Sequence, residues 1–332
     1  MESIKNSLGN TSFVEDLVEI HNITEDLPKL YDKEKFIILG KCNNVVLASP
    51  TYTNKTIIQV LLDDIKVLKK EDNFVYIEVG SGLDWSDLVK FCLENDFGGL
   101  ENLTNIPGSV GAAPVQNIGA YGVELSQVFD SSLVYDFVDK KTKTLSRESC
   151  QFSYRDSIFK LSQDYLILKV VFKLTSRIHC LNIGYNGLKE GLDGKLSYQN
   201  SNLPRISSCV AALRAEKQPN PNELPNAGSF FKNPLVSNEL ATYLESKYTE
   251  LVLWRYSNND VKISAASLIE HIRSSLDNHK GVGLYSKHSL IVINPFNKSG
   301  ERIIEFADRI IHLVYEEFGI KLEMEVQLIK DT

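Results

Sequence analysis

The spacing of apolar positions divides the chain into recognisable elements. Phe36–Gly40 (FIILG), Val45–Ser49 (VVLAS) and Phe74–Gly80 (FVYIEVG) are apolar runs of strand length, the first two flanking a GKCNN turn. Asp84 then stands at the N-cap of a predicted helix in which Trp85, Leu88, Val89 and Cys92 fall at i, i+3, i+4 and i+7 and form one buried stripe. Between Gly98 and Gly122 the period vanishes in GGLENLTNIPGSVGAAPVQNIGAYG, where glycines and two prolines interrupt any regular element. A loop this long inside a compact domain is usually functional or disordered. Its apolar residues Leu100, Leu103, Ile106, Val110, Val115, Ile118 and Tyr121 predict an ordered one.

Strands are predicted again around Ser132–Phe137 and Tyr165–Leu174, and a helix over Arg205–Lys217 with Cys209, Ala212 and Leu213 on a shared face. Past the stretch NAGSFFKNP, Ser237 can cap a helix running to about Lys247, a second helix covers Ala265–Ser274, and Leu290–Pro295 reads as a strand. Ser299 can cap a long helix carrying Ile303, Ile310, Ile311 and Val314, with Gly319 as its terminator. In the final stretch KLEMEVQLI, Leu322, Met324, Val326 and Leu328 alternate with Glu323, Glu325 and Gln327, which predicts a strand with both carboxylates on the face opposite the core.

Composition narrows the class. A chain of 332 residues exceeds one ordinary core, and about 150 residues per domain suggests two or three. With 43% hydrophobic and 24% charged residues it reads as a globular protein. The net charge of −7 argues against nucleic acid or an anionic membrane as main partner, while leaving room for local basic pockets that take small anions. No signal peptide or membrane span is visible, so a cytoplasmic location is expected. Five cysteines, Cys42, Cys92, Cys150, Cys180 and Cys209, lack C-x-x-C spacing and fit reduced thiols, and the six histidines form no zinc-binding pair.

Common catalytic motifs fail on spacing. No phosphate-binding G-x-x-x-x-G-K-[ST] occurs, and GSGLDW puts Trp85 where a dinucleotide fingerprint needs its third glycine. NAGSFF is no nucleophile elbow, since Phe231 replaces the closing glycine. Several polar residues remain, each with a plain alternative. Arg155 in FSYRDSIFK could fork onto a carboxylate or sit in a surface turn, Glu325 could be a solvated face residue, and Ser229 could serve turn chemistry alone. Lys217 and Lys232 could be surface cations and Tyr185 a half-buried aromatic. Gly108, Gly111, Gly119 and Gly122 fit either a close-packed loop or backbone approaching a flat ligand.

Taken together, IPGSVGAAPVQNIGAYGVEL, YRDSIFK, NAGSFFKNP and LEMEV resemble the UDP-N-acetylenolpyruvoylglucosamine reductases, flavoproteins of peptidoglycan precursor synthesis, in order from about residue 10 to residue 329. Tyr185 and the Tyr165–Lys217 region resemble the type I subgroup, which has an extra tyrosine-bearing loop that closes on substrate. The resemblance implies an α+β architecture: an FAD-binding fold of the vanillyl-alcohol-oxidase (PCMH) type in two subdomains, 1–66 and 67–214, and a smaller substrate-binding domain, 215–319, with the strand 320–332 returning to the first. It implies non-covalent FAD, NADPH as reductant, small-molecule substrates and a monomer. Cofactor contacts would come from Gly40, Lys41, Cys42, Asn43, Asn44, Pro107, Gly108, Ser109, Gly111, Asn117, Gly119 and Gly122. The family's Gly-x-Gly-Ser-Asn turn reads Gly40-Lys41-Cys42-Asn43-Asn44 here, a substitution expected to be tolerated if Cys42 keeps a negative φ and expected to weaken flavin retention.

The implied chemistry assigns the remaining residues. Arg155 pairs with the enolpyruvyl carboxylate, Glu325 in a protonated or proton-sharing form bonds to the developing enediolate, and Ser229 donates the proton to the carbanionic carbon. Tyr185, Lys217 and Asn233 would position the substrate, the first two at its diphosphate. Two alternatives stand beside this: another FAD-dependent oxidoreductase of the same fold, and a catalytically dead relative that binds a nucleotide sugar. A dead relative should have lost Arg155, Ser229 or Glu325, and all three match.

Overall fold

The computed structural model describes residues 1–185, 187–192, 202–255, 260–276 and 281–331. The chain forms two compact units, one of Met1–Glu15, Cys42–Asn54 and Lys217–Thr332, the other of Asp16–Lys41 and Lys55–Glu216.

The second unit is built on an antiparallel five-stranded sheet in the order Lys141–Ser146, Phe129–Asp136, Tyr165–Thr175, Phe74–Gly80 and Ile65–Glu71. The helix Trp85–Glu94 covers one face, with Asp84 capping it through Ser86 N–H and Trp85, Leu88, Val89 and Cys92 buried as the spacing predicts. Each such fully buried large side chain contributes about 1.5–3 kcal/mol. Leu100, Leu103, Val110 and Ile118 of the long loop enter the same core, so the loop is anchored from within rather than draped over the surface. A parallel three-stranded sheet, Leu17–Ile20, Thr56–Val60 and Phe36–Ile38, has its own cluster around Ile20, Leu30 and Ile58. The helix Leu203–Lys217 buries Leu203, Ile206, Ser207 and Val210. Ala212, expected on that face, is exposed, because the buried row runs i, i+3, i+4, i+7 from Leu203 and Ala212 falls off it.

The first unit packs around the helix Gly300–Phe318, whose Ile303, Phe306, Ile310 and Val314 lie on one buried face. Gly319 ends it at φ 67°. Gly300 is required by contact: a Cβ there would lie 2.0 Å from the Leu47 carbonyl oxygen. Ser237 caps Asn238–Lys247 through Leu240 N–H as expected. The helix predicted over Ala265–Ser274 stops at His271 and continues as a 3-10 turn, Arg273–Ser275.

The predicted last strand is ladder-paired only over Gln327–Ile329, parallel to Val45–Leu47. The preceding residues bond elsewhere, with Lys232 N–H donating to Glu323 O and Glu325 N–H to Phe230 O, both near 2.9 Å. Burial still alternates through Leu322 and Val326. The segment thus keeps strand periodicity while exchanging one backbone partner for another, which interrupts the ladder.

Candidate active site

In the second unit three backbone stretches meet where glycines permit it. A Cβ on Gly40 would stand 2.8 Å from Ser109 Oγ, and one on Gly111 would stand 2.6 Å from Ser81 Cβ. Gly111 N–H donates to Ser81 O and Trp85 N–H to Gly108 O, which locks the loop to the end of the Phe74–Gly80 strand and the start of the following helix. Gly108 has free space around it but sits at φ 140°, so its need is conformational. Pro107 is exposed and Ser109 is buried. Beside Gly111 the Ser81 hydroxyl is buried and finds no hydrogen-bond partner among the described residues. An unmet buried hydroxyl is costly, and one in a glycine-lined loop is a donor suited to a ligand oxygen.

Arg155 reaches this loop from the turn between Ser153 and Asp156, where it sits at φ 55°, a conformation disfavoured for a residue with a Cβ. Its guanidinium donates to Gly119 O at 2.7 Å and Asn117 O at 3.4 Å and lies 5.2 Å from the Tyr154 ring centroid. Gly119 makes room for it, since a Cβ there would fall 2.8 Å from the guanidinium. Asn117 is buried, and its side chain bonds Glu124, Ser153 O and Ser126 N–H, shaping the loop from behind. Tyr121 and Gly122 follow with φ of 49° and 81°, and Tyr121 meets the Tyr185 ring edge-on at 5.1 Å between centroids. Lys41 pairs with Asp84 at 2.5 Å, so its charge is shared with the carboxylate that caps the Trp85–Glu94 helix.

In the first unit Cys42 contradicts the expectation of a negative φ: it sits at 54°. The turn demands left-handed backbone at that position, and the cysteine supplies it under strain of about 1–2 kcal/mol. Burial pushes the Cys42 thiol up to about 11, so it stays protonated and neither adds charge to the turn nor acts as a nucleophile. Asn43 O accepts from Ser7 Oγ. Asn44 is clasped to the C-terminal segment, its Nδ2 donating to Glu325 O at 3.2 Å and its carbonyl accepting from Gln327 N–H at 3.0 Å.

The same segment runs beside the stretch that follows Ser229, with Glu325 N–H donating to Phe230 O. Asn226–Ser229 pairs with His288–Ile293 through an irregular register, Asn226↔Ile293 and Ser229↔Ile291, with Gly228 at φ 70° between them. The buried Asn226 carboxamide holds this bulge by accepting from Gly228 N–H and donating to Pro219 O and Leu224 O. Phe230 and Phe231 are buried on either side of the chain turn, and Phe230 O receives Glu325 N–H. The Ser229 hydroxyl is half-buried and bonds to no described residue.

Lys217 is exposed and lies near enough to His288 to disfavour its protonation. Burial first, and Lys217 second, lower the His288 pKa below 6.5. Asn233 Oδ1 accepts Ala265 N–H at the start of a helix, a structural duty that fixes the carboxamide's orientation and presents its amide N–H groups as donors for a ligand. Lys232 is tied to Glu323 at 2.6 Å. Sequence reasoning passed over Ser81 and His288. The small-residue run after the Phe74–Gly80 strand was a signal for the first, but a histidine at the polar start of an apolar strand, between Lys287 and Ser289, gave none for the second.

Comparison with known proteins settles the lineage. The UDP-N-acetylenolpyruvoylglucosamine reductase of Flavobacterium johnsoniae is 34% identical over 328 residues, 98% of this chain and 96% of its own. The chain belongs to the UDP-N-acetylenolpyruvoylglucosamine reductase family. The reductase of Amoebophilus asiaticus is 37% identical over 276 residues, covering 82% of this chain and 81% of its own. The family model for the C-terminal domain of UDP-N-acetylenolpyruvoylglucosamine reductase matches residues 218–329, and that for an FAD binding domain matches 23–146. The crystal structure of the Thermus caldophilus reductase superposes with a TM-score of 0.68 at 20% identity, covering 99% of this chain and 98% of its own, which shows a shared fold. The fold is therefore the FAD-binding PCMH type joined to the reductase C-terminal domain, and the protein is an FAD-dependent oxidoreductase. No helix among the described residues is long and apolar enough to cross a membrane.

The second unit fits FAD on its own evidence. The glycine contacts at Gly40 and Gly111 leave a backbone-walled loop, and the partnerless Ser81 hydroxyl supplies a donor for an anionic group.

Proposed function

We propose that this reductase converts the enolpyruvyl group of UDP-N-acetylglucosamine enolpyruvate to the lactyl ether of UDP-N-acetylmuramate, with Arg155, Ser229 and Glu325 as its catalytic residues. Held by the second unit's glycine loop, FAD would supply the hydride chemistry at the terminal vinyl carbon, with NADPH as the reductant. The protein's own groups meet the charge this leaves on the adjacent carbon and carboxylate. Arg155 forks onto the carboxylate, its left-handed backbone and its bonds to Asn117 O and Gly119 O fixing the guanidinium in advance. Glu325 hydrogen-bonds to the enediolate oxygen, and Ser229 protonates the carbon, completing addition of one hydride and one proton across the double bond.

The observation that carries this assignment is the Glu325 N–H to Phe230 O bond at 2.9 Å, which sets Glu325 one residue out of register from Ser229 while the serine hydroxyl bonds to no described residue. Tyr185 and Lys217 hold the diphosphate, with Asn233 donating through its amide. Gly40 to Asn44, Pro107 to Gly111, Asn117, Gly119 and Gly122 form the flavin contacts. Functionally, 1–66 with 320–332 and 67–214 serve FAD, 215–319 serves the nucleotide sugar, and the enzyme works as a cytoplasmic monomer.

The test is a spectrum of the purified protein. Anaerobic NADPH is expected to bleach the flavin band and the enolpyruvyl nucleotide to restore it, with UDP-N-acetylmuramate as product. Bleaching without restoration by that nucleotide would assign the protein to another flavin reaction.

A further inference from the structure

We infer that Asn102 is a positioning residue: it ties the glycine loop to the segment that carries Tyr185 and thereby sets where that ring stands. Asn102 lies in the 3-10 turn Glu101–Leu103 and is fully buried. Its Nδ2 donates to Tyr121 O at 2.9 Å and to Asn182 O at 2.8 Å. Two carbonyl oxygens can be met only by the NH2 end of the carboxamide, so the orientation is determined. The opposite oxygen, Oδ1, is buried without a hydrogen-bond partner among the described residues. A leucine would fill comparable volume and leave no unmet oxygen, so volume does not account for the asparagine. What it joins does.

The two acceptors belong to different segments of the chain, the glycine loop and the stretch leading to Tyr185. Tyr121 and Gly122 run through consecutive left-handed conformations, φ 49° and 81°, which form a tight kink in the backbone at the carbonyl Asn102 holds. Asn182 answers from the other side, its own Nδ2 donating to Gly122 O at 2.8 Å. Upstream, Asn73 holds Arg177 and Ile178 and His179 bonds Thr175 and Asp96. Among the described residues the Asn102–Asn182–Gly122 knot is the last side-chain hydrogen bonding before Tyr185, three residues on, with Ile183 between them packed against the Leu188, Ile206 and Val210 cluster. Tyr185 is itself 46% exposed; its ring rests edge-on against Tyr121 and its carbonyl accepts Leu188 N–H and Lys189 N–H, so its place is set by the backbone on both sides, of which the Asn182 knot is the upstream one.

The inference rests on Tyr185 being a substrate-binding residue, and the experiment separates the two. KM for the enolpyruvyl nucleotide, kcat and the rate of flavin reduction by NADPH are measured for Asn102→Ala, Tyr185→Ala and the double variant. Each single substitution is expected to raise KM roughly tenfold with flavin reduction little changed, and the double variant is expected to be no worse than Tyr185→Ala alone. Independent effects that multiply in the double variant would overturn the positioning role, because a merely structural residue acts regardless of the ring. Amide hydrogen exchange decides the tie itself. In Asn102→Ala the amides of 182–185 should exchange faster while the Tyr165–Thr175 strand is unchanged; equal protection refutes the tie. If Tyr185→Ala leaves KM unchanged while exchange rises, the tyrosine reading fails and the tie stands. Should Asn102→Ala not fold, Asn182→Ala removes the Gly122 bond from a half-exposed residue and is held to the same outcomes.

Discussion

Replacing Cys42 by glycine and by alanine isolates the strain in the cofactor turn. Both substitutions remove the buried thiol, so its packing cancels between them. At ordinary φ alanine is the more stable choice by about 0.5–1 kcal/mol. At the φ of 54° found here the order should reverse. A Cβ in left-handed backbone costs about 1–2 kcal/mol, while glycine gives up about 0.4–1 kcal/mol more freedom on folding, which leaves glycine ahead by about 0.5–1 kcal/mol. With about 2.1 cal/mol/K of unfolding entropy per residue, that is near 1 °C in Tm for a chain of 332 residues. Cys42→Val, with a branched Cβ, should fall below both. Differential scanning calorimetry resolves the three. A Cys42→Ala protein more stable than Cys42→Gly would refute the left-handed turn.

Other consequences are equally open to measurement. Gly111→Ala drives a methyl to 2.6 Å from Ser81 Cβ and should cost about 1–3 kcal/mol and release flavin, read by denaturant unfolding and by flavin absorbance after gel filtration. Asn117→Ala strips three hydrogen bonds from a buried residue and should cost about 2–4 kcal/mol, with flavin lost as the loop relaxes. His288, with its pKa held below 6.5, stays neutral in the fold while the unfolded chain takes up a proton, so its contribution is full above pH 6.5 and declines as pH falls below it. Urea unfolding between about pH 5 and 8 should show a shallower acid-side decline in His288→Gln.

The helices Trp85–Glu94 and Gly300–Phe318 were legible because cap, period and terminator agreed along each. The Phe74–Gly80 strand was legible for the same reason, its apolar run bounded by turns. The segment 322–326 was less so, because alternation reports which side chains face the core and says nothing of which backbone answers. Cys42 misled because a side chain with a Cβ argues against the conformation that tertiary contacts impose on it. The family motifs reached Arg155, Ser229 and Glu325. They could not reveal that Asn233 accepts the first N–H of the Ala265–His271 helix, that Lys41 is paired with Asp84, or that Asn102 joins two loops, since those facts arise from residues brought together across 32 to 80 positions.

The assignment of Ser229 as proton donor is the centre of the account, and the two half-reactions of Ser229→Ala test it directly. Stopped-flow absorbance should show flavin reduction by NADPH at the unaltered rate and reoxidation by the enolpyruvyl nucleotide slowed about 100- to 10,000-fold. Reoxidation within a few-fold of the unmodified enzyme, or equal slowing of both steps, would contradict the role given to this serine.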